Sequence, residues 1–391
     1  LKIGSSALKT RRVAIAMEIE EPWPHHQEVF AGVQQYATEH AHWVCEIDQH
    51  PTYAARQRGM TSNQYDGVIA RVWPALQHRL MKLSVPLVNV QYSTHNPGMS
   101  GVYHDPAALG KLAADHLVQR GFKRIGYMYD PNTRYTTAMR DAFRERVLEE
   151  ERSYSEVPLV GGDATDLKFY VKLETTLKRW IDSLRPPVAL CFQTPFIARM
   201  AIQICQAKGL HVPQDVSILT DQNLKSVVEI PPQISSIDSN YEKVGYEAAA
   251  MLDRMMDGQA GGEVMYVSPR GVHARESTDY YAVEDPLVAQ ALRYISENLA
   301  MKLRAEDIAY ELAVSVSSLQ KRFAVALGRG MGQETLRLRL SAVKVMLAEP
   351  EPTIARIAKQ TGFASAAVLN HTFKREFGIT PGQYRKRVST K

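Results

Sequence analysis

The chain is expected to fold as a two-lobed α/β domain followed by an all-α domain built from two helix-turn-helix units. Three observations predict this. Short Val/Ile/Leu runs alternate with amphipathic stretches from Arg12 to Gly271. After Pro286, helical periodicity takes over to the end. Within that tail Ser315, Leu319, Phe323 and Gly328 recur as Ser365, Leu369, Phe373 and Gly378, each displaced by 50 residues.

The apolar runs at 13–17, 67–72, 85–91, 124–129, 187–192 and 216–220 alternate with helical patterns over 25–40, 106–120, 138–151, 168–184 and 195–208. Continuous apolar runs followed by helices mark parallel strands buried on both faces, hence doubly wound sheets. Such sheets bind ligands outside the carboxyl ends of their strands. Segment 239–258 is another amphipathic helix with a glycine stop. Around 272–285 (VHARESTDYYAVED) periodicity disappears, which reads as a linker. It separates a ligand-sensing domain, 12–271, from the helical domain, 286–391.

Each half of the repeat reads as a serine N-cap, a helix with apolar residues one turn apart, and a glycine stop. A shorter amphipathic stretch precedes each: Ile308-Ala309-Leu312 and Ile354-Ile357-Ala358. The two units span about 305–328 and 354–378, with Pro350 and Pro352 between them. Helix, tight turn, helix, twice over, can put two helices into DNA grooves. Charge agrees. Residues 286–391 hold 17 Lys plus Arg against 8 Asp plus Glu, a net of +9, while the whole chain carries +5. A basic segment on a chain otherwise net negative points to a polyanion partner, double-stranded DNA.

Other chemistries find no support. The three cysteines, Cys45, Cys191 and Cys205, are too dispersed for a zinc pattern and suit a reducing cytoplasm. No apolar run approaches the roughly 20 residues needed to span a bilayer, and the N-terminus lacks the apolar core of a signal peptide. GRGMG (328–332) follows a helix where a nucleotide loop would follow a strand, and His25-His26 with Glu28 is not a metal-binding H-E-x-x-H. No nucleophile elbow or acid/base pair emerges. The expectation is a cytoplasmic, non-enzymatic protein with no cofactor, no metal and no membrane partner.

Residues 353–386 resemble the signature of AraC/XylS-type transcription factors. Its I-x-x-I-A, G-F, F-K, G and T-P-x-x-Y-R positions are met by Ile354, Ile357, Ala358, Gly362, Phe363, Phe373, Lys374, Gly378, Thr380, Pro381, Tyr384 and Arg385. The α/β part resembles LacI-type and periplasmic-binding-protein folds through HLVQRGFKRIGYM (116–128), GLHVPQDVSIL (209–219) and PPQISSIDSNYEKVGYEAA (231–249). The two parts are joined by Arg275, Ser277, Thr278, Asp279, Asp285 and Pro286, and this combination resembles the xylose-operon activator type. The resemblance implies a ligand-responsive regulator, with a small sugar as effector, RNA polymerase as partner of an activator, and a homodimer. An enzyme or repair protein carrying such a reader, a transport solute-binding protein, and the same architecture sensing a non-sugar metabolite are the competing readings.

On the first recognition helix Leu319 and Phe323 point inward, leaving Ser317, Gln320, Lys321 and Ala324 on the outer stripe. Gln can pair with adenine and Lys can reach guanine O6/N7. On the second helix the same stripe holds Ala366, Ala367, Asn370, His371 and Lys374. Base reading is therefore expected from Ser317, Gln320, Lys321, Ala366, Ala367, Asn370 and His371. Phosphate contacts are expected from Ser315, Ser365, Lys374, Arg375 and Arg385. Phe363, Phe373, Phe377 and Ile357 read as core.

LacI-type sensors place carboxylates and amides at strand ends, because buried sugar hydroxyls need paired donors and acceptors. This chain departs from that pattern. Gln91 stands where an aspartate is usual, Thr194-Pro195 replaces an N-D pair, and Arg140 follows Met139 where an arginine is usual. The expected ligand set, at a site between the two lobes, is Trp23, His26, Gln91, Arg140, Gln193, Thr194, Asp221 and Gln222.

Overall fold

The computed structural model describes residues 10–19, 24–40, 43–49, 51, 64–72, 85–92, 98–159, 161, 166–283, 285–347 and 352–389. Twelve strands occur among them, β1 (Arg11–Ala16), β2 (Trp43–Ile47), β3 (Gly67–Ala70), β4 (Leu87–Asn89), β5 (Ser100–His104), β6 (Arg124–Tyr129), β7 (Ser153–Pro158), β8 (Val188–Phe192), β9 (Val216–Thr220), β10 (Ser235–Asp238), β11 (Val264–Val267) and β12 (Gly271–His273). They form two six-stranded sheets in two compact units. The first unit comprises residues up to 105 with 240–267, and the second 106–239 with 268–390.

In the first unit the order is β11-β5-β4-β3-β1-β2, all pairings parallel. Successive residues of β1 serve opposite faces, as strand geometry requires. Val13 and Ile15 pack with Val29, Val33, Val244 and Leu252, while Ala14 and Ala16 pack with Tyr65, Val68 and Ala70. Helices Pro24–His40 and Tyr241–Met256 touch backbone to backbone. A Cβ at Gly32 would lie 1.9 Å from the Glu242 carbonyl oxygen, and one at Gly245 1.8 Å from that of Val29. Gly245→Ala should therefore push the helices apart and cost at least the roughly 1–3 kcal/mol usual for overpacking. Thermal unfolding checks this; an unchanged midpoint would contradict the close approach.

In the second unit the order is β12-β10-β9-β8-β6-β7, parallel except for β12, which runs antiparallel to β10. Met128 of β6 is level with Phe192 of β8, and Phe192 with Thr220 of β9, so three neighbouring strands end within one residue of each other. Helices Arg134–Glu149, Leu167–Ser183 and Pro195–Ala207 follow β6, β7 and β8. The α/β layout anticipated from the alternating runs is the observed one.

The same unit holds the helical domain. Helices Pro286–Glu297, Ala305–Glu311 and Val316–Leu327 surround Leu292, Ile308, Leu319 and Phe323. Helices Ile354–Gln360 and Ala366–Phe377 surround Ile357, Leu369 and Phe373. Helix Met331–Leu347 bridges the two cores, giving Met331 and Leu338 to the first and Leu340, Val343 and Leu347 to the second.

Two expectations need correction. The segment 272–285 is not a loose linker: it contains most of β12 and a 3₁₀ turn, Glu276–Thr278, in which Ser277 and Thr278 are fully buried. Tyr281 already belongs to the first helical core. Such short, polar elements have no hydrophobic period to read. Phe377 is exposed, its ring against Phe373 with the Lys344 ammonium 4.0 Å from its centroid, so its apolar face meets a cation.

Candidate functional site: two recognition helices and two sets of strand ends

Both recognition helices begin and end alike. Ser315 accepts from the Ser318 amide and Ser365 from the Val368 amide. Gly328 (φ 67°) and Gly378 (φ 74°) end them in the left-handed conformation that glycine tolerates without strain. Capping occupies each serine oxygen as acceptor and leaves its hydroxyl hydrogen able to donate toward a phosphate. Leu319, Phe323, Leu369 and Phe373 are fully buried, which turns the opposite stripe outward. Ser317, Gln320, Lys321, Ala367, Asn370, His371 and Lys374 are exposed, and Ala366 is half-buried.

Two phosphate candidates already have partners within the fold. Arg385 donates from Nη2 to the Pro352 carbonyl at 2.6 Å, so its guanidinium ties the last helix to the segment before Thr353. Arg375 pairs with Glu376 at 2.9 Å, which partly offsets its charge. Lys374 is exposed and stays on the outer stripe. Asp285, which caps helix Pro286–Glu297 through the Leu287 amide, also binds Arg322 at 2.7 Å and so anchors the recognition helix of the first unit.

Among the effector candidates, Trp23 lies outside the described residues. The first unit holds His26 and Gln91. His26 is buried, its Nδ1 2.5 Å from the Glu18 carbonyl oxygen, beside His25, whose ring stacks on Tyr241. His104, at the end of β5, packs edge-on to the same tyrosine, and burial pulls it down to about 4. Burial also holds His25 well below the ordinary histidine value. These rings are therefore neutral at physiological pH. Gln91 accepts from Arg71 Nε at 3.2 Å, and its amide donates to Asn89 Oδ1. Arg71, Asn89, His104 and Tyr241 escape the sequence reading, because nothing local marks a residue that only topology brings to a strand end.

The second unit holds the remaining candidates. Gln193 and Asp221 directly follow the level ends of β8 and β9, and the Asp221 amide donates to the Phe192 carbonyl. Asp221 is 1% exposed; its Oδ2 accepts from Tyr135 at 3.3 Å, and burial pushes its carboxyl well above the ordinary value. Tyr127 Oη, Gln193 Nε2, Thr220 Oγ1 and Asp221 Oδ1 are buried without a hydrogen-bond partner among the described residues. Buried polar atoms are usually satisfied, so orphans at and beside these strand ends are candidates for completion by a polar ligand, although strand alternation turns Thr220 to the sheet face opposite Tyr127. Tyr127, Tyr135 and Thr220 are additions to the sequence-based set.

Thr194 already has a partner within the fold, since its hydroxyl oxygen caps helix Pro195–Ala207 by accepting from the Ile197 amide. Arg140 does too. Its guanidinium lies 4.4 Å from the Tyr129 ring centroid and pairs with Asp141 at 2.7 Å and Glu156 at 3.1 Å, so it is already neutralised within the fold. Gln222 is half-buried on the loop after β9.

Residues 114–278 match a periplasmic binding protein-like domain and residues 308–387 a helix-turn-helix domain. The xylose operon regulatory protein of Escherichia coli K12 is 26% identical over 96% of this chain and 97% of its own length. That of Haemophilus influenzae is 25% identical over 82% of this chain and 84% of its own. The solved structure of the xylose-binding transcription activator xylR shares the fold, with a TM-score of 0.60 at 23% identity, covering 97% of this chain and 99% of that one.

Proposed function

We propose, for a chain of the xylose-operon-regulator class with a periplasmic-binding-protein-like sensor ahead of an AraC-type reader, a specific role as an effector-dependent transcription activator of a carbohydrate pathway. It is a regulator and not an enzyme. The doubled, identically capped recognition helix supports sequence-specific DNA reading. Gln320 and Lys321 read base edges on the first helix, and Asn370 and His371 on the second. An activator in this mould contacts RNA polymerase, and a homodimer would present two readers to adjacent half-sites.

The effector is a small neutral sugar, xylose or a close relative. The supporting observation is the buried atoms Tyr127 Oη, Gln193 Nε2, Thr220 Oγ1 and Asp221 Oδ1, which lack a hydrogen-bond partner among the described residues and mix donors with acceptors, with no cation among them. A thermal-shift screen of pentoses and hexoses tests this. A ligand at 100 times its dissociation constant should add roughly 2.7 kcal/mol of stability. Should a non-sugar metabolite shift the midpoint while no sugar does, the carbohydrate assignment fails and the regulator remains.

Gln320→Ala and Lys321→Ala should each weaken specific binding by about 1–3 kcal/mol and relax preference at one or two base pairs. Single-base operator variants check this; equal loss across all of them would assign these side chains to phosphates.

A reader fragment should begin at 279 so as to keep Tyr281 and Asp285, which belong to its first core and cap. It should bind DNA with affinity falling steeply with salt, since each neutralised phosphate steepens the log–log slope by about 0.9. A folded fragment without DNA affinity at low salt would remove the function from this region.

A further inference from the structure

The segment Arg275–Thr278 buries polar side chains that neither the recognition helices nor the effector set uses. Ser235, Ser277 and Thr278 are fully buried. Ser277 donates to the Ile218 carbonyl, while Ser235 and Thr278 belong to a continuous hydrogen-bonded series that starts on the loop after β9. Asn223, two residues past Asp221, accepts through Oδ1 from Ser236 Oγ at 2.9 Å and from Arg275 Nη2 at 2.8 Å. Arg275 also donates from Nη1 to Ser236 Oγ and to the Ile234 carbonyl, and its own carbonyl accepts from Ser235 Oγ. Ser235 Oγ lies 2.6 Å from Thr278 Oγ1, which lies 2.9 Å from His116 Nε2. His116 Nδ1 is 3.0 Å from Arg120 Nη1, and Arg120 Nε closes back on the Thr278 carbonyl at 2.7 Å.

The far end reaches the reader. The Arg120 guanidinium stands 5.9 Å from the centroid of Tyr281, a member of the first reader core. The adjacent Gln119 carbonyl accepts from Arg337 Nη2 at 3.3 Å, on the helix that bridges both reader cores. Arg337 is in turn held by the buried Glu334 at 2.5 Å.

Hydrogen-bond chemistry gives the series one direction. Arginine only donates, so His116 Nδ1 accepts and Nε2–H donates to Thr278. The Arg275 carbonyl can only accept, so it takes the Ser235 hydroxyl hydrogen, and Thr278 is then the donor between the two hydroxyls. Breaking one link leaves a buried group unpaired or forces the whole series to re-form.

We propose that this hydrogen-bonded series, Asn223–Arg275–Ser235–Thr278–His116–Arg120, half-buried at its ends and buried at Ser235, Thr278 and His116, couples the loop after β9 to the reader helix Met331–Leu347. Arg275 and Thr278 are positioning residues that touch neither effector nor DNA. The inference rests on the proposed sensor–reader function for what it transmits, but its test uses neither ligand nor DNA.

Hydrogen exchange on the full chain decides it, with Asn223→Ala, Thr278→Val and Thr278→Ser. Asn223→Ala and Thr278→Val should speed exchange within 331–347 by roughly three- to tenfold, the size typical of intersite coupling, and leave helix 241–256 unchanged. Thr278→Ser keeps the hydroxyl and should exchange as the parent does. The proposal is overturned if both disrupting variants alter 271–282 but leave 331–347 as it was. It is equally overturned if Thr278→Ser acts like Thr278→Val, because packing and not the hydroxyl would then matter. Should Thr278→Val not fold, Asn223→Ala alone decides between the two outcomes. A chain that binds sugar and DNA yet transmits nothing from 223 to 331–347 sinks this proposal and leaves the functional reading intact.

Discussion

Phe373→Ala should melt the second helix-turn-helix unit and abolish specific DNA binding, and Phe323→Ala should do the same from the first. Both rings are fully buried at the centre of separate cores. Phe323 packs with Leu292, Ile308 and Leu319; Phe373 packs with Ile357, Ala358 and Leu369. Truncating a buried phenylalanine costs about 3–5 kcal/mol, against a total of roughly 5–15 kcal/mol for a whole domain. These small cores have little to spare. Because helix Met331–Leu347 is the one element common to both among the described residues, the damage should be local: exchange should accelerate in 354–378 for Phe373→Ala and in 305–328 for Phe323→Ala. If Phe373→Ala opened both segments equally, the reader would be one cooperative block.

The reader was legible because its information is local. A serine cap, apolar residues one turn apart and a glycine stop specify a helix within about 14 residues, and the 50-residue recurrence supplied a second copy as a check. The buried, parallel strands were legible for a similar reason, since runs such as PVALCF at 187–192 need no distant partner to be recognised. Edge and mixed strands were not. β7 (SYSEVP) is polar and partly exposed, β2 (WVCEI) is partly exposed and interrupted by Glu46, and β12 has three residues, so none presents a long continuous apolar signal.

The candidate effector residues divide the same way. Gln193 and Asp221 could be named because each directly follows a recognisable strand. Tyr135, which binds Asp221 from 86 residues away, could not. Arg140 and Arg385 show the converse limit: their type and position fit a ligand or phosphate, but a carboxylate pair and a backbone carbonyl already engage them. A basic residue near a site is a candidate only until its neighbours are known.

Asp221→Asn should raise the stability of the ligand-free protein while weakening effector binding by about 1.5–3 kcal/mol, on the order of 10- to 100-fold. Burial is the main cause of its raised pKa, so the fold favours the protonated carboxyl. The sign follows: the folded state holds this proton more tightly than the unfolded chain. Its contribution to stability is fully present below the ordinary value of 3.8 and is lost as pH rises through the higher value in the fold. An asparagine stays neutral, so the variant should keep that stability at neutral pH and flatten the profile. Effector binding should run the other way. A sugar hydroxyl donating to Oδ1 favours the carboxylate, so binding releases a proton and tightens as pH rises across the Asp221 titration. Calorimetry in buffers of different ionisation enthalpy reads that proton directly, and thermal midpoints across pH read the stability. A variant that binds sugar as the parent does, with no proton released by either, would take Asp221 out of the effector site and leave its burial a feature of the fold alone.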